Sequence, residues 1–203
     1  MNKYPATLRI DYPETAPRLT VFFRILLSIP ILIILGSLSY IGYGGDYGPD
    51  ESLWLGVLVI PTLLMVVFRQ KYPKWWFDWN VHLTKFSTRV FSYLFLLQHE
   101  YPSTDEEQGV NIEIQYPDVK NDLNQWLPLV KWFLAIPHVF VLCFIWIGVV
   151  ISTIITWFII LFTGKNPSGL FNFVVGAMRW SLRVQAYALL LVTDQYPPFS
   201  LRE

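Results

Sequence analysis

The sequence predicts an all-α membrane protein with an internal duplication: each unit a short strand, a transmembrane hairpin and an amphipathic interfacial helix, four spans in total. Three observations predict it. Hydrophobic residues make up 54% of the 203 positions and charged residues only 15%, where soluble domains carry about 25% charged. Blocks of sequence recur in the same order in the two halves. The apolar runs are long enough to cross a bilayer, which takes about 20 residues. A soluble core of this size could not bury so much apolar surface.

The repeat is read from three blocks. "RILLSIP" at 24–30 matches "KWFLAIP" at 131–137, and "LRIDYP" at 8–13 matches "IEIQYP" at 112–117. "KYPKWWFDWNVHLTKFSTRVFSYLFLL" at 71–97 matches "KNPSGLFNFVVGAMRWSLRVQAYALLL" at 165–191. The units are residues 1–102 and 103–203, each closing on an acidic residue followed directly or after one residue by Tyr-Pro (Glu100-Tyr101-Pro102 and Asp194-Gln195-Tyr196-Pro197), and "HEYPSTDEEQGVN" is a polar linker between them. Leu8, Ile10 and Tyr12, like Ile112, Ile114 and Tyr116, alternate with polar residues, the period of a strand. Six of the eleven tyrosines directly precede proline, and a residue before proline avoids the helical region, so each marks an element boundary.

Residues 21–43 and 52–68 supply two spans, and 126–162 a second, shorter hairpin turning near Gly148. Lys131 marks the cytoplasmic entrance of the third span, its stem in lipid and its charge in water. Pro137 is expected to kink or restart that helix, with Arg24 and Pro30 in the same roles in the first unit. Basic residues flank the spans on one side: Lys3, Arg9, Arg18 and Arg24, then Arg69, Lys71 and Lys74, then Lys120 and Lys131, then Lys165. The excess of cations on the cytoplasmic side puts both termini and the linker in the cytoplasm. No removable signal peptide is expected.

The last helix of each unit carries a polar stripe: Asp78, His82, Lys85, Arg89 and Ser92 in the first, Asn172, Gly176, Arg179, Arg183 and Ala186 in the second. If these helices spanned, their cations would lie near mid-membrane at about 2.5–3.5 kcal/mol each. A position in the interface removes most of that penalty, and Trp75, Trp76 and Trp79 suit headgroup depth. Lys85 with Arg89, and Arg179 with Arg183, are i, i+4 cation pairs. They read first as snorkelling side chains. The sharper reading makes these four, with Trp75, Trp76 and Trp79, a site for anionic lipid headgroups or a partner's acidic residues.

Motifs for catalysis are missing: there is no Gly-x-Ser-x-Gly, phosphate loop, dinucleotide fingerprint or His-Glu-x-x-His. "GYGGDYG" at 42–48 belongs to an acidic turn. The single cysteine, Cys143, excludes an intrachain disulfide and a zinc ribbon and reads as a small buried thiol. A haem between His82 and His138 is disfavoured because His82 lies on the surface stripe. No cofactor or metal is expected, and zero net charge gives no reason to expect nucleic acid.

The segments "YPATLRIDYPETAPRL", "LVKWFLAIPHVFVL" and "IITWFIILFTGKNPSGLFNFVVGAMRWSLRVQAYALLLVTDQYPPFSL" resemble a bacterial membrane-protein family, domain of unknown function 4389. The resemblance covers nearly the whole chain and is most specific from Leu161 to Phe199. Lys71-Tyr72-Pro73-Lys74-Trp75-Trp76 departs from the family pattern in the first unit. The resemblance implies a membrane protein and carries no activity. The sequence therefore points to a non-enzymatic accessory or scaffold subunit of a larger assembly in the bacterial inner membrane. Binding or transport of anionic lipid or small anions through the cation pairs is the alternative. Expected partners are membrane lipids and other integral membrane proteins, or a second copy of the chain.

Overall fold

The computed structural model describes residues 4–39, 53–104, 106 and 108–202. The turn "GGDYGPDES", the glycine-rich run at 42–48 and Lys3 lie outside the described residues. Strand β1 (Ala6–Ile10) pairs antiparallel with β2 (Val110–Ile114), Leu8 opposite Ile112. Alternation buries Ala6, Leu8, Val110 and Ile112 on one face. A two-stranded ribbon is marginal by itself, and helices cover that face: α7 (Ser168–Ala188) lies along β1 and α4 (Lys74–Leu94) along β2. The largest apolar core forms there, with Phe77 from α4 and Phe171, Val174 and Met178 from α7.

Between strand and helix the Tyr-Pro tyrosines act as clamps. Tyr12 donates its hydroxyl hydrogen to the carbonyl of Asn166 and meets Phe171 edge-on. Tyr116 donates to the carbonyl of Tyr72 and meets Phe77 edge-on. Tyr196 donates to Leu134 at 3.2 Å. These tyrosines join the chain's turns to one another.

Helices α1 (Arg18–Phe22) and α2 (Arg24–Ser39) follow β1, and α3 (Leu53–Arg69) precedes α4. Ile31 of α2 packs on Phe86 and Val90 of α4. In the second half, α5 (Pro128–Leu134) leads into α6 (Ile136–Thr163), a helix of 28 residues. Pro137 sits in the first turn of α6, so the expected restart occurs: α5 stops at Leu134 and a new helix begins. The far end of α6 is closed by Gly164 at φ 73°, a left-handed cap that suits glycine.

The four-span, duplicated architecture is overturned. Among the described residues one helix, α6, is long and apolar enough to cross a membrane. Within the described residues, which leave out 40–43 and 52 of the expected spans, α2 and α3 have 16 and 17 residues and carry Pro30 and Pro61 in their interiors, short of the roughly 20 residues a span needs. The hairpin expected over 126–162 is not formed either. Gly148 lies inside α6 rather than at a turn, because one glycine costs a helix only about 1 kcal/mol and its neighbours are apolar. Its missing side chain serves packing: a Cβ there would stand 3.2 Å from the Phe173 ring. The second half thus has one long helix where a hairpin was expected, and the internal duplication is not shown. The orientation of the termini depended on four crossings and loses its basis with them.

Helix α7 is not interfacial. Thirteen of its 21 residues are buried, Gly176, Arg183 and Ala186 among them, because α6, the ribbon and the C-terminal segment surround it. At Gly176 a Cβ would lie 2.8 Å from the Leu201 carbonyl oxygen, so the polar stripe read there is a packing seam. Helix α4 is more open: Asp78 and Lys85 are half-buried and His82 exposed, but Arg89 and Ser92 are buried. Pro30 does not restart a helix in the first half, where the break comes earlier, at Phe23. Cys143 is exposed on α6 rather than buried.

Candidate functional site

Helix α6 has two chemically distinct faces. Its buried residues are His138, Leu142, Val149, Ser152, Thr156 and Ile160, spaced along one side. Its exposed side carries Phe140, Phe144, Ile147, Ile151, Ile154, Phe158 and Phe162. The polar groups therefore turn inward and the exposed stripe is apolar, the reverse of a surface helix in water. Only 22% of its most apolar stretch is buried. At 1.5 Å per residue the helix is about 42 Å long, more than the roughly 30 Å of hydrocarbon in a bilayer.

The inward polar groups have partners. The indole of Trp180 donates to Nδ1 of His138 at 3.1 Å, and Phe199 stacks on the imidazole at 3.9 Å. Trp146 donates to Ser181 at 3.1 Å and Trp157 to the Val21 carbonyl at 3.0 Å. These bonds fasten α7 to the first half of α6 and α1 to the second half. Exposed apolar residues also occur on other helices: Ile25, Leu26, Ile29 and Ile33 on α2, and Trp132 and Phe133 on α5.

Behind this surface two cations are fully enclosed. Arg24 is 2% exposed; it donates to the Gln98 carbonyl at 2.9 Å, faces His99 Nδ1 at 2.8 Å and lies 3.9 Å from the Tyr93 ring centre. Lys131 is 0% exposed; it donates to the Thr193 carbonyl at 2.7 Å, pairs with Asp194 at 2.6 Å and lies 5.3 Å from the Tyr187 ring. Lys131 is therefore no snorkelling residue at a helix entrance: its ammonium points into the protein. Burial pushes its pKa down, and Asp194 opposes that shift. Burial, then the charge of Arg24, hold the His99 pKa at about 4, so its imidazole is neutral near pH 7 and accepts from the guanidinium.

Arg179 and Arg183 line one small cavity with Tyr4 and Arg9, and Lys85 and Arg89 do not line it. Arg89 donates to the Ser103 carbonyl at 3.0 Å. Arg183 reaches the carbonyls of Ser200 at 3.2 Å and Arg202 at 2.5 Å, and Arg179 that of Leu8 at 3.2 Å. Arg89 and Arg183 secure connecting segments to their helices and Arg179 secures strand β1, while Lys85 stays half-buried on α4. The tryptophans do cluster: Trp76 stacks on Trp79 at 5.5 Å and donates to Thr62 at 2.8 Å, and Trp75 is 70% exposed. Sequence reasoning missed the buried roles of Arg24 and Lys131 because their partners lie more than sixty positions away, where no local spacing signals a contact.

Fold and face together define a small helical protein with, among the described residues, one helix of membrane-crossing length and composition. Residues 128–200 match the model of the family described as Domain of unknown function (DUF4389), the family that the sequence resembles. The match spans α5, α6, α7 and the C-terminal segment, and the first half of the chain lies outside it. No curated protein and no solved structure matches the chain.

Proposed function

We propose that this chain is a non-enzymatic protein of the bacterial inner membrane, held there by α6, and an accessory or scaffold subunit of a larger membrane assembly. The inverted polarity of α6 carries the reading. A helix whose exposed side is a row of Phe and Ile is stable only where lipid or another apolar helix covers it. Exposed apolar residues on α2 and α5 support the same reading. Membrane lipids and other integral membrane proteins, or a second copy, are the partners such a surface suits. Anion handling by Lys85, Arg89, Arg179 and Arg183 has less support, since the three arginines hold backbone carbonyls of their own fold.

Purification of the tagged full chain in mild detergent, with Cys143 on the outer face of α6 as a crosslinking handle, tests the proposal. A stoichiometric integral membrane partner, or a crosslinked copy of the chain, is the expected result. Recovery as a lone monomer, with no crosslink through Cys143, counts against a subunit role.

A further inference from the structure

We propose that the basic cavity at the turn between α3 and α4 binds the headgroup of an anionic phospholipid. The cavity measures about 390 Å³ and is lined by Met65, Arg69, Lys71, Pro73, Lys74 and Trp75. Three of these six side chains are cations and none is acidic. Arg69, Lys71 and Lys74 are exposed and form no ion pair among the described residues. The turn itself gathers them. Gln70 adopts a left-handed backbone at φ 46°, its N–H bonds the Val66 carbonyl at 3.1 Å, and its side chain donates to Gln125 at 2.9 Å. That reversal sets Arg69 at the end of α3 beside Lys71 and Lys74 at the start of α4. The first turn of α4 has no side-chain cap, so its N–H groups add to the positive field.

Two further features point to a lipid rather than a free anion. Trp75 is 70% exposed at the cavity and meets Trp76 edge-on at 5.6 Å, and exposed tryptophan favours headgroup depth. From the cavity the exposed residues Phe68, Leu64 and Ile60 run back along α3, an apolar track for acyl chains. A phosphodiester set among three cations with its chains on that track satisfies both halves of the surface. None of these cations belongs to the pairs Lys85/Arg89 and Arg179/Arg183. The inference rests on the reading of α6 as a membrane helix.

The full chain in neutral detergent is titrated with phosphatidylglycerol bearing brominated acyl chains, with tryptophan quenching as the readout. Phosphatidylcholine with the same chains and inorganic phosphate are run in parallel. The triple variant Arg69→Gln/Lys71→Gln/Lys74→Gln is expected to lose on the order of a hundredfold in phosphatidylglycerol affinity, with phosphatidylcholine unchanged and phosphate a poor competitor. Lys165→Gln, at the opposite end of α6, keeps the native affinity. Equal phosphatidylglycerol affinity in native and triple-variant chains overturns the site, as does an equal loss in Lys165→Gln. Competition by inorganic phosphate as effective as that of the lipid overturns the lipid assignment. Flotation of both proteins with neutral vesicles separates the two readings. A native chain that does not float refutes the membrane reading; floating chains with equal affinities refute the headgroup site alone.

Discussion

Lys131 and Arg24 are long cations placed where a membrane-entrance reading expects a snorkelling charge, and both point inward. An ammonium out of water is tolerated when its partners replace the solvent, and Thr193 and Asp194 do so for Lys131. Lys131→Met should lower stability by about 2–3 kcal/mol, because it leaves Asp194 without its counter-ion. Lys131→Met/Asp194→Leu should recover much of the loss, as unfolding midpoints in detergent would register. His99 adds a pH dependence. Its folded pKa of about 4 lies below the ordinary value of 6.5, so the unfolded chain binds a proton first as pH falls. The His99 contribution is therefore intact above pH 6.5 and drains away between 6.5 and 4. Melting temperature measured across that window should drop in the native chain and drop less in His99→Gln.

At the scale of elements, α6 shows why composition misled the count of spans. Both a hairpin and a single helix satisfy an apolar run from 126 to 162, since period and hydropathy are blind to a turn that lacks turn residues. Gly148 was the residue read as the turn, and it answers to Phe173. The stripe on α7 misled in the same way: Gly176 and Arg183 follow polar spacing yet face Leu201 and the C-terminal carbonyls. The outward face of α6 makes its own prediction. Ile151, 54% exposed and near the helix midpoint, should tolerate Leu, whereas Ile151→Lys penalises insertion by about 2.5–3.5 kcal/mol. Resistance to alkaline carbonate extraction should fall for the lysine variant and stay native for the leucine one.

For the molecule as a whole, the ribbon, α4 and α7 form a core built from both halves of the chain, with α6 joined to it along one side. The other side of α6 is exposed and apolar, and α2 and α5 carry exposed apolar residues of their own. The proposed subunit role predicts lateral contact of that exposed face with lipid or neighbouring helices, which the co-purification experiment is designed to read. The sequence by itself determined the strands, the boundaries at Tyr-Pro, the restart at Pro137 and the apolar character of α6, because each depends on neighbours within a few residues. Only the tertiary structure decided the number of membrane-length helices and the burial of Lys131, Arg24, Arg89 and Arg183. It also decided which cations stay exposed at the α3–α4 turn. Those outcomes depend on partners far along the chain, and a charge's environment is set by what folds against it, not by the residues beside it.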